Sequence, residues 1–173
     1  FTLKPAPKPD FIVGGKPFTE QYILASLLAE RLTAEGFLVE QHIGMGSDVI
    51  FNAIGSGTVD LYVEYSGTIW GSFMRREGNP GRAEITEITQ TFVRERGLNP
   101  VGLAGFQNRY ALAMRRERAE ELGVVSVQDL APLASMLSAG GDLEFFGRSE
   151  WKRLQSLYDL DFAQELTFDA ALM

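Results

Sequence analysis

The sequence predicts an α/β protein with a mainly parallel sheet and helices on its faces. Short apolar segments of strand length alternate with helical segments, and glycine-containing turns separate the two. This alternation is typical of parallel sheets, because each helix returns the chain to the edge where the next strand starts. The alternation restarts near Gly105–Arg109, which predicts a first lobe over 11–105 and a second over 106–173.

Four strands and four helices are predicted in the first lobe. The strands are indicated by short apolar or alternating runs, which are Phe11–Val13, Phe37–Ile43, Asp60–Tyr65 and Val101–Phe106. The helices are indicated by apolar residues at helical spacing after a polar cap. The first helix is capped by Thr19 and ended by Gly36, and the second is capped by Ser47 and Asp48. The third covers Thr68–Arg76, and the fourth contains Ile85 and Phe92 and ends at Gly97.

The second lobe continues the pattern, and the two ends of the chain depart from it. Its predicted strands are Tyr110–Met114, Leu143–Phe146 and Phe162–Phe168, and its predicted helices are Ser126–Leu137 and Glu150–Tyr158. Residues 1–10 are rich in proline and are expected to form an extended, semi-rigid leader or tether. Asp169 is placed to cap a helix whose first turn is Ala170–Met173. Because so short a helix is not stable alone, we expect the native chain to continue and this lobe to be incomplete at its C-terminus.

The composition excludes several function classes. The formal net charge of −7 argues against a nucleic-acid partner, because a phosphate-binding surface needs clustered Lys and Arg. The chain has no Cys, and its one histidine, His42, is expected to be a half-exposed strand residue, so neither a thiolate nor a multi-His metal site is predicted. Since no nucleophile–base pair is visible either, we expect a protein that is not an enzyme and that needs no metal or other cofactor.

Residues that can bind a small molecule lie where predicted strands run into loops or helices. Such positions meet at the carboxyl edge of a parallel sheet, where ligands of α/β proteins bind. They offer two cations, one hydroxyl and two aromatic rings, which are Lys16, Arg148, Thr68, Tyr65 and Tyr110. Donors of this kind suit a carboxylate, and aromatic faces suit a cation. The residues therefore predict a small-molecule site without naming its ligand.

Each of these residues also has a simpler interpretation. Lys16 is equally typical of a solvated loop lysine, and the two tyrosines of half-buried strand residues. Arg148 has Glu144 and Glu150 within reach for an ordinary surface ion pair. The pair Gly14–Gly15 lacks the spacing of a phosphate-binding loop, which disfavours a nucleotide ligand.

At these same positions the chain resembles the glycine betaine/choline/carnitine-binding proteins of ABC importers, the ProX and OpuC group. The similar stretches are distributed along the chain from Phe11 onward and are Val13–Leu24, Gly44–Val49, Asp60–Trp70, Tyr110–Met114 and Gly140–Arg148. The motifs Lys-Pro-Phe-Thr-Glu-Gln and Glu-Tyr-Ser-Gly-Thr, in this order, are the most specific of them. The resemblance implies an α/β, two-lobed fold like that of periplasmic binding proteins of type II, which closes on its ligand.

The resemblance also implies a role for each matching residue. Tyrosines of the family form an open box around a quaternary ammonium group, and Tyr65 and Tyr110 match two of them. Asn108 matches a position whose backbone carbonyl faces the cation, and Phe18 and Ser47 are weaker candidates for the rim of the pocket. The residues that match the family's carboxylate-binding positions are Lys16, Thr68 and Arg148.

By this resemblance the protein is an extracytoplasmic or periplasmic substrate-binding component that delivers glycine betaine, choline or a related osmoprotectant to the membrane permease of an ABC importer. It is either free or tethered or fused to a membrane component. Two alternatives stay open: a ligand-sensing regulatory domain of the same fold, and a binding domain for a larger betaine such as ergothioneine. The family carries further box tyrosines beyond the point where this chain stops. We therefore expect the chain as given to bind weakly and to dimerise or exchange segments through unpaired sheet edges.

Overall fold

The computed structural model describes residues 7–78 and 80–169, so the predicted leader is described only from residue 7 and the predicted helical turn at Ala170–Met173 lies outside the described residues. Contacts between Cα atoms divide the chain into two compact units, Phe1–Gly102 and Leu103–Met173. This division lies a few residues before the boundary predicted near Gly105–Arg109. Among the described residues, each unit contains one two-stranded parallel sheet.

The first unit is built on a parallel strand pair and the helix that joins its strands. Strand β1 is Phe11–Gly14, helix α1 is Thr19–Ala34 and strand β2 is Val39–His42. The register runs from Phe11 opposite Val39 to Gly14 opposite His42. His42 ends β2 half-exposed, as predicted, with Nε2 2.8 Å from Oε1 of Glu40.

Helix α1 begins at the predicted place but differs from the prediction in its cap and its buried face. Thr19 is its first residue and not its cap: the N-cap is Phe18, and no side chain caps this end. The helix buries its small residues Ala25 and Ala29 against Val13, while Ile23 and Leu27 are more than half exposed. Small residues let the helix approach the strand closely, and Leu28 and Leu32 of the same helix pack partly buried against this cluster.

The other regular elements described in the first unit are helices. Helix α2 is Ser47–Gly55, helix α3 is the single turn Ser66–Thr68 continued by a π-helical turn Ile69–Phe73, and helix α4 is Arg82–Arg94. Stacked aromatic rings join them, because Phe51 of α2 lies 4.0 Å from Phe73 and 6.4 Å from Phe92 between ring centroids. Gly14 is needed where β1 meets α2, since a Cβ atom there would lie 2.9 Å from Cδ1 of Ile50.

The strand predicted over Asp60–Tyr65 is wrong beyond its first two residues. Only Leu61 makes a parallel bridge, to Val13. Further along, side chains satisfy the backbone that a neighbouring strand would otherwise pair. The amide of Gln21 donates to the carbonyl of Val63 at 3.0 Å, and the N–H of Tyr65 donates to the carboxylate of Glu64 at 2.7 Å. These side-chain bonds replace the ladder of a sheet.

The strand predicted at Val101–Phe106, which crosses the boundary between the units, and the strand predicted at Tyr110–Met114 in the second unit are wrong. Both stretches are irregular and exposed, and no strand pairs with either among the described residues. The sheet is formed instead by strand β3, Ser138–Gly141, which pairs in parallel with strand β4, Gln164–Thr167. Strand β4 lies within a predicted strand, whereas β3 was not predicted because Ser-Ala-Gly-Gly has no strand-like side chains.

The helices of the second unit are α5, Arg116–Leu122, a 3₁₀-helix at Val127–Met136, α6, Leu143–Gly147, and α7, Ser149–Tyr158. Helix α5 was not predicted, and α6 replaces the strand predicted at Leu143–Phe146. The reason for α6 is its cap: the carboxylate of Asp142 accepts the N–H of Phe145 at 2.6 Å, which satisfies a free amide of the first turn.

A capping box begins the 3₁₀-helix. The carboxylate of Asp129 accepts the N–H groups of Val125 at 3.0 Å and Ser126 at 2.8 Å, and the Ser126 hydroxyl at 2.9 Å. The N–H of Val125, followed by the hydroxyl and N–H of Ser126, lowers the pKa of the Asp129 carboxyl below its ordinary value near 3.8.

We expect Asp129→Ala to lower the melting temperature at neutral pH by about 2–4 °C, the size typical of a lost helix cap in a protein of this length. A carboxyl with a lowered pKa stabilises the fold above its ordinary pKa, and this contribution is lost as the pH falls through the lowered value. The difference between the two proteins should therefore shrink on acidification. Melting curves of both from pH 7 to pH 3 test this, and a pH-independent difference would contradict it.

Candidate functional site

The predicted residues of the first unit lie together where β1 ends. Lys16 follows β1 by two residues and is 2% exposed, so the interpretation as a solvated loop lysine is wrong. Its ammonium nitrogen lies 2.5 Å from a carboxylate oxygen of Glu64, whose side chain is 10% exposed. A buried ammonium group needs such a partner, because its desolvation would otherwise cost several kcal/mol.

Glu64 joins several groups of this cluster. One of its oxygens accepts from Lys16 and from the N–H of Tyr65, and the other accepts the hydroxyl of Tyr62 at 3.0 Å. Burial raises the pKa of Glu64, and Lys16 together with these hydrogen bonds opposes that rise. Burial and then the charge of Glu64 raise the pKa of Tyr62 well above its usual range.

Tyr65 lies beside Lys16 and presents its ring to the ammonium group. The distance from Nζ of Lys16 to the ring centroid is 5.4 Å, within the range of a cation–π contact. The Phe18 ring is 6.0 Å away between centroids, so the first of the two weaker candidates contacts this cluster. Thr68, 7% exposed, lies one turn after Tyr65 and donates its N–H to the Tyr65 carbonyl at 3.0 Å.

Gln21, which is 1% exposed, fixes the position of Tyr65. Its amide oxygen accepts the N–H of Lys16 at 3.2 Å. Its amide nitrogen donates to the carbonyl of Val63 at 3.0 Å and to the hydroxyl oxygen of Tyr65 at 3.1 Å. The Tyr65 hydroxyl in turn donates to the carboxylate of Glu20.

The predicted residues of the second unit form a similar cluster. The Tyr110 ring lies 4.7 Å from the Phe145 ring, and the guanidinium carbon of Arg148 lies 5.5 Å from the Tyr110 centroid. Arg148, with its side chain 9% exposed, pairs with Glu150 at 2.8 Å and with Glu144 at 3.6 Å. The ion pairs considered from the sequence are therefore formed, and the arginine contacts the tyrosine as well.

Charges shift the ionisation of this second cluster. Although Tyr110 is about half exposed, its partial burial, followed by the negative charges of Asp142 and Glu144, raises its pKa to about 12. Burial alone would lower the pKa of Arg148, but the hydrogen bond and charge of Glu150 outweigh it and raise that pKa. Both groups therefore keep their usual protonation at neutral pH: a neutral phenol beside a guanidinium cation.

The two remaining candidates lie on other segments of the chain. Ser47 is the first residue of α2, and Asn108 is exposed in the irregular segment before Tyr110. Sequence reasoning did not select Glu20, Gln21 and Glu64 as site residues. The signal was present, because these residues lie inside the two motifs already singled out.

Each cluster thus combines an aromatic face, a cation and at least one carboxylate around a tyrosine. Such groups bind a ligand by cation–π contact and charge-assisted hydrogen bonds. In the part of the chain that the structure describes, no helix is both long and apolar enough to cross a membrane.

Comparisons with known proteins agree with this chemistry. A family model described as the substrate binding domain of ABC-type glycine betaine transport systems matches residues 9–173. A glycine-betaine-binding protein of Pseudomonas aeruginosa is 34% identical over 162 residues, which are 88% of this chain and 52% of that protein. The ergothioneine transport permease/ergothioneine binding protein EgtU of Helicobacter pylori is 32% identical over 156 residues, 87% of this chain and 28% of that protein.

The fold also matches solved structures. A crystal structure titled as a glycine betaine/carnitine/choline ABC transporter superposes with a TM-score of 0.63 at 22% identity and covers 94% of this chain and 62% of that one. The chain thus spans about half or less of the two curated relatives and under two thirds of this solved chain.

The family match places this chain among the substrate-binding domains of ABC transporters, a class of protein that binds its ligand and does not catalyse a reaction. The chain belongs to the OpuAC family, the substrate-binding domains of ABC-type glycine betaine transport systems.

Proposed function

We propose that this protein binds a quaternary-ammonium compound, glycine betaine or choline or a relative, outside the cytoplasm and delivers it to its permease. The observation that carries the proposal is that Tyr65 and Tyr110 each lie within cation–π distance of a positive side chain. A trimethylammonium group cannot donate a hydrogen bond, so an aromatic face in a partly desolvated cluster is a suitable partner for it.

For a ligand that carries a carboxylate, the proposed partners are Lys16, Thr68 and Arg148. Arg148 is already paired with Glu144 and Glu150, so a ligand carboxylate competes with two carboxylates of the protein. Choline has no carboxylate and meets no such competition. The relative affinities of glycine betaine and choline, measured by calorimetry, report directly on this competition.

A larger betaine is a second candidate ligand. The Helicobacter pylori relative is named for ergothioneine, which carries the same trimethylammonium group and a carboxylate. Its name also joins a permease and a binding protein, which supports a fused permease as one form of the partner. Including ergothioneine in the same calorimetric series separates this candidate from glycine betaine and choline.

We expect Tyr65→Ala and Tyr110→Ala, each in the full-length protein, to weaken quaternary-ammonium binding about tenfold or more. Loss of one desolvated cation–π contact, worth about 1–2 kcal/mol, accounts for an effect of this size. Isothermal calorimetry measures it, with Tyr22→Ala on α1 as the matched control because Tyr22 is not a residue of either cluster. If both cluster variants bind as tightly as the control, the two tyrosines are not ligand contacts.

A further inference from the structure

The hydrogen bonds of the Tyr65 hydroxyl run from the Gln21 amide to Tyr65 and from Tyr65 to Glu20. The amide of Gln21 is oriented by the backbone, since its oxygen accepts from the N–H of Lys16 and its nitrogen donates to the carbonyl of Val63. That nitrogen also donates to the Tyr65 oxygen. The hydroxyl proton of Tyr65 is consequently left to point at Glu20, whose carboxylate accepts it.

This direction matters for the electronic character of the ring. A phenol that donates to a carboxylate makes a charge-assisted hydrogen bond, which shifts electron density onto the phenol oxygen and the ring. The attraction of a cation to an aromatic face depends on that negative face. The ring is also held in place, by Gln21 at its oxygen and by Phe18 at 6.0 Å.

We propose that Glu20 is a specificity-determining residue that acts through the Tyr65 hydroxyl and strengthens binding of cations relative to neutral molecules of the same shape. The inference rests on the proposed function, because it takes the Tyr65 ring as a ligand contact. It assigns to Glu20 a role in ligand selection, separate from its place in the first turn of α1. Gln21, through its three hydrogen bonds, is the positioning residue that sets the direction of the phenol.

The test is Glu20→Gln in the full-length protein. Glutamine keeps an oxygen that accepts the Tyr65 hydroxyl, so the geometry is retained and the negative charge is removed. The probes are choline and its neutral carbon isostere, 3,3-dimethylbutan-1-ol, both measured by isothermal calorimetry. We expect choline to bind about three- to tenfold more weakly and the neutral alcohol to change less than about twofold, since only the cation interacts with the charge on the ring face.

Two controls separate this role from a structural one. Glu30→Gln removes the same charge from an exposed position on the same helix and should leave both probes unchanged. In a Tyr65→Phe background the hydroxyl is absent, so Glu20→Gln should no longer affect choline binding, as a double-mutant cycle would show.

The possible outcomes are distinct. Equal weakening of both probes, or an effect on choline that persists in the Tyr65→Phe background, overturns the role of Glu20 while the proposed function stands. A wild-type protein that binds no quaternary-ammonium compound at all overturns both. Selective weakening of choline that disappears with the Tyr65 hydroxyl supports the inference.

Discussion

Glu64→Ala is expected to destabilise the protein by about 3–5 kcal/mol, the cost of removing one partner from a buried ion pair. The substitution leaves the ammonium group of Lys16, 2% exposed, without its carboxylate. It also leaves the hydroxyl of Tyr62 and the N–H of Tyr65 without their acceptor. Urea denaturation followed by circular dichroism measures the loss.

The chain offers a matched control for burial. Arg31 and Glu35 also form an ion pair at 2.5 Å, but their side chains are 76% and 53% exposed. Because water solvates an exposed pair, Glu35→Ala should cost less than about 1 kcal/mol. Replacing both partners of the buried pair, Lys16→Met with Glu64→Leu, should recover much of the stability because no charge is left buried alone. Equal costs for the two single variants would show that the pair is effectively solvated.

Trp151→Ala is expected to destabilise the second unit by about 3–5 kcal/mol, as large-to-small substitutions of buried aromatic residues do. Trp151 is 1% exposed, and its ring lies 5.2–5.9 Å from those of Phe145, Phe146 and Phe162. Its indole N–H also donates to Glu165 of β4 at 2.8 Å, which ties α7 to the sheet. Thermal melts followed by far-UV circular dichroism, which reports mainly on the backbone, measure the change.

Two variants separate packing from hydrogen bonding at this position. Trp151→Phe keeps most of the ring contacts and loses the bond to Glu165, so it should cost much less than alanine. Leu157→Ala on the same helix, where the side chain is 70% exposed, should have little effect. If Trp151→Ala lowers the stability no more than Leu157→Ala does, this aromatic cluster does not stabilise the second unit.

The parts of the fold that sequence reasoning predicted are those with a local signal. The structure confirms six of the predicted elements, which are β1, α1, β2, α2, α4 and α7. They could be predicted because apolar spacing and glycine stops mark them along the chain. The failures depend on distant or capping groups. Leu143–Phe146 has the apolar side chains of a strand, but the capping carboxylate of Asp142 makes it a helix. In Asp60–Tyr65, the carbonyl of Val63 accepts a hydrogen bond from the side chain of Gln21, a residue some forty positions earlier, in place of a bond from a neighbouring strand.

The candidate site was predicted in its residue types more than in its connections. The motifs selected Lys16, Tyr65, Tyr110 and Arg148, and the structure pairs each cation with a tyrosine ring within its own unit. The pairing of Lys16 with Glu64 was not predicted, because 48 residues separate them and no local pattern links a loop lysine to a particular acid. Their roles as ligand contacts stay predictions until binding is measured.

The parallel pairing of each small sheet has a consequence for the order of folding. Phe11 and its partner Val39 are about 28 residues apart in the chain, and Ser138 and Gln164 about 26. Closing a flexible loop of that length costs on the order of 3 kcal/mol of chain entropy before any strand bond forms. Helices form within about a microsecond, and α1 stiffens 16 of the intervening residues before closure. Both strands of each sheet lie within one unit. We therefore expect each unit to form its parallel strand pair from its own residues, independently of the other unit.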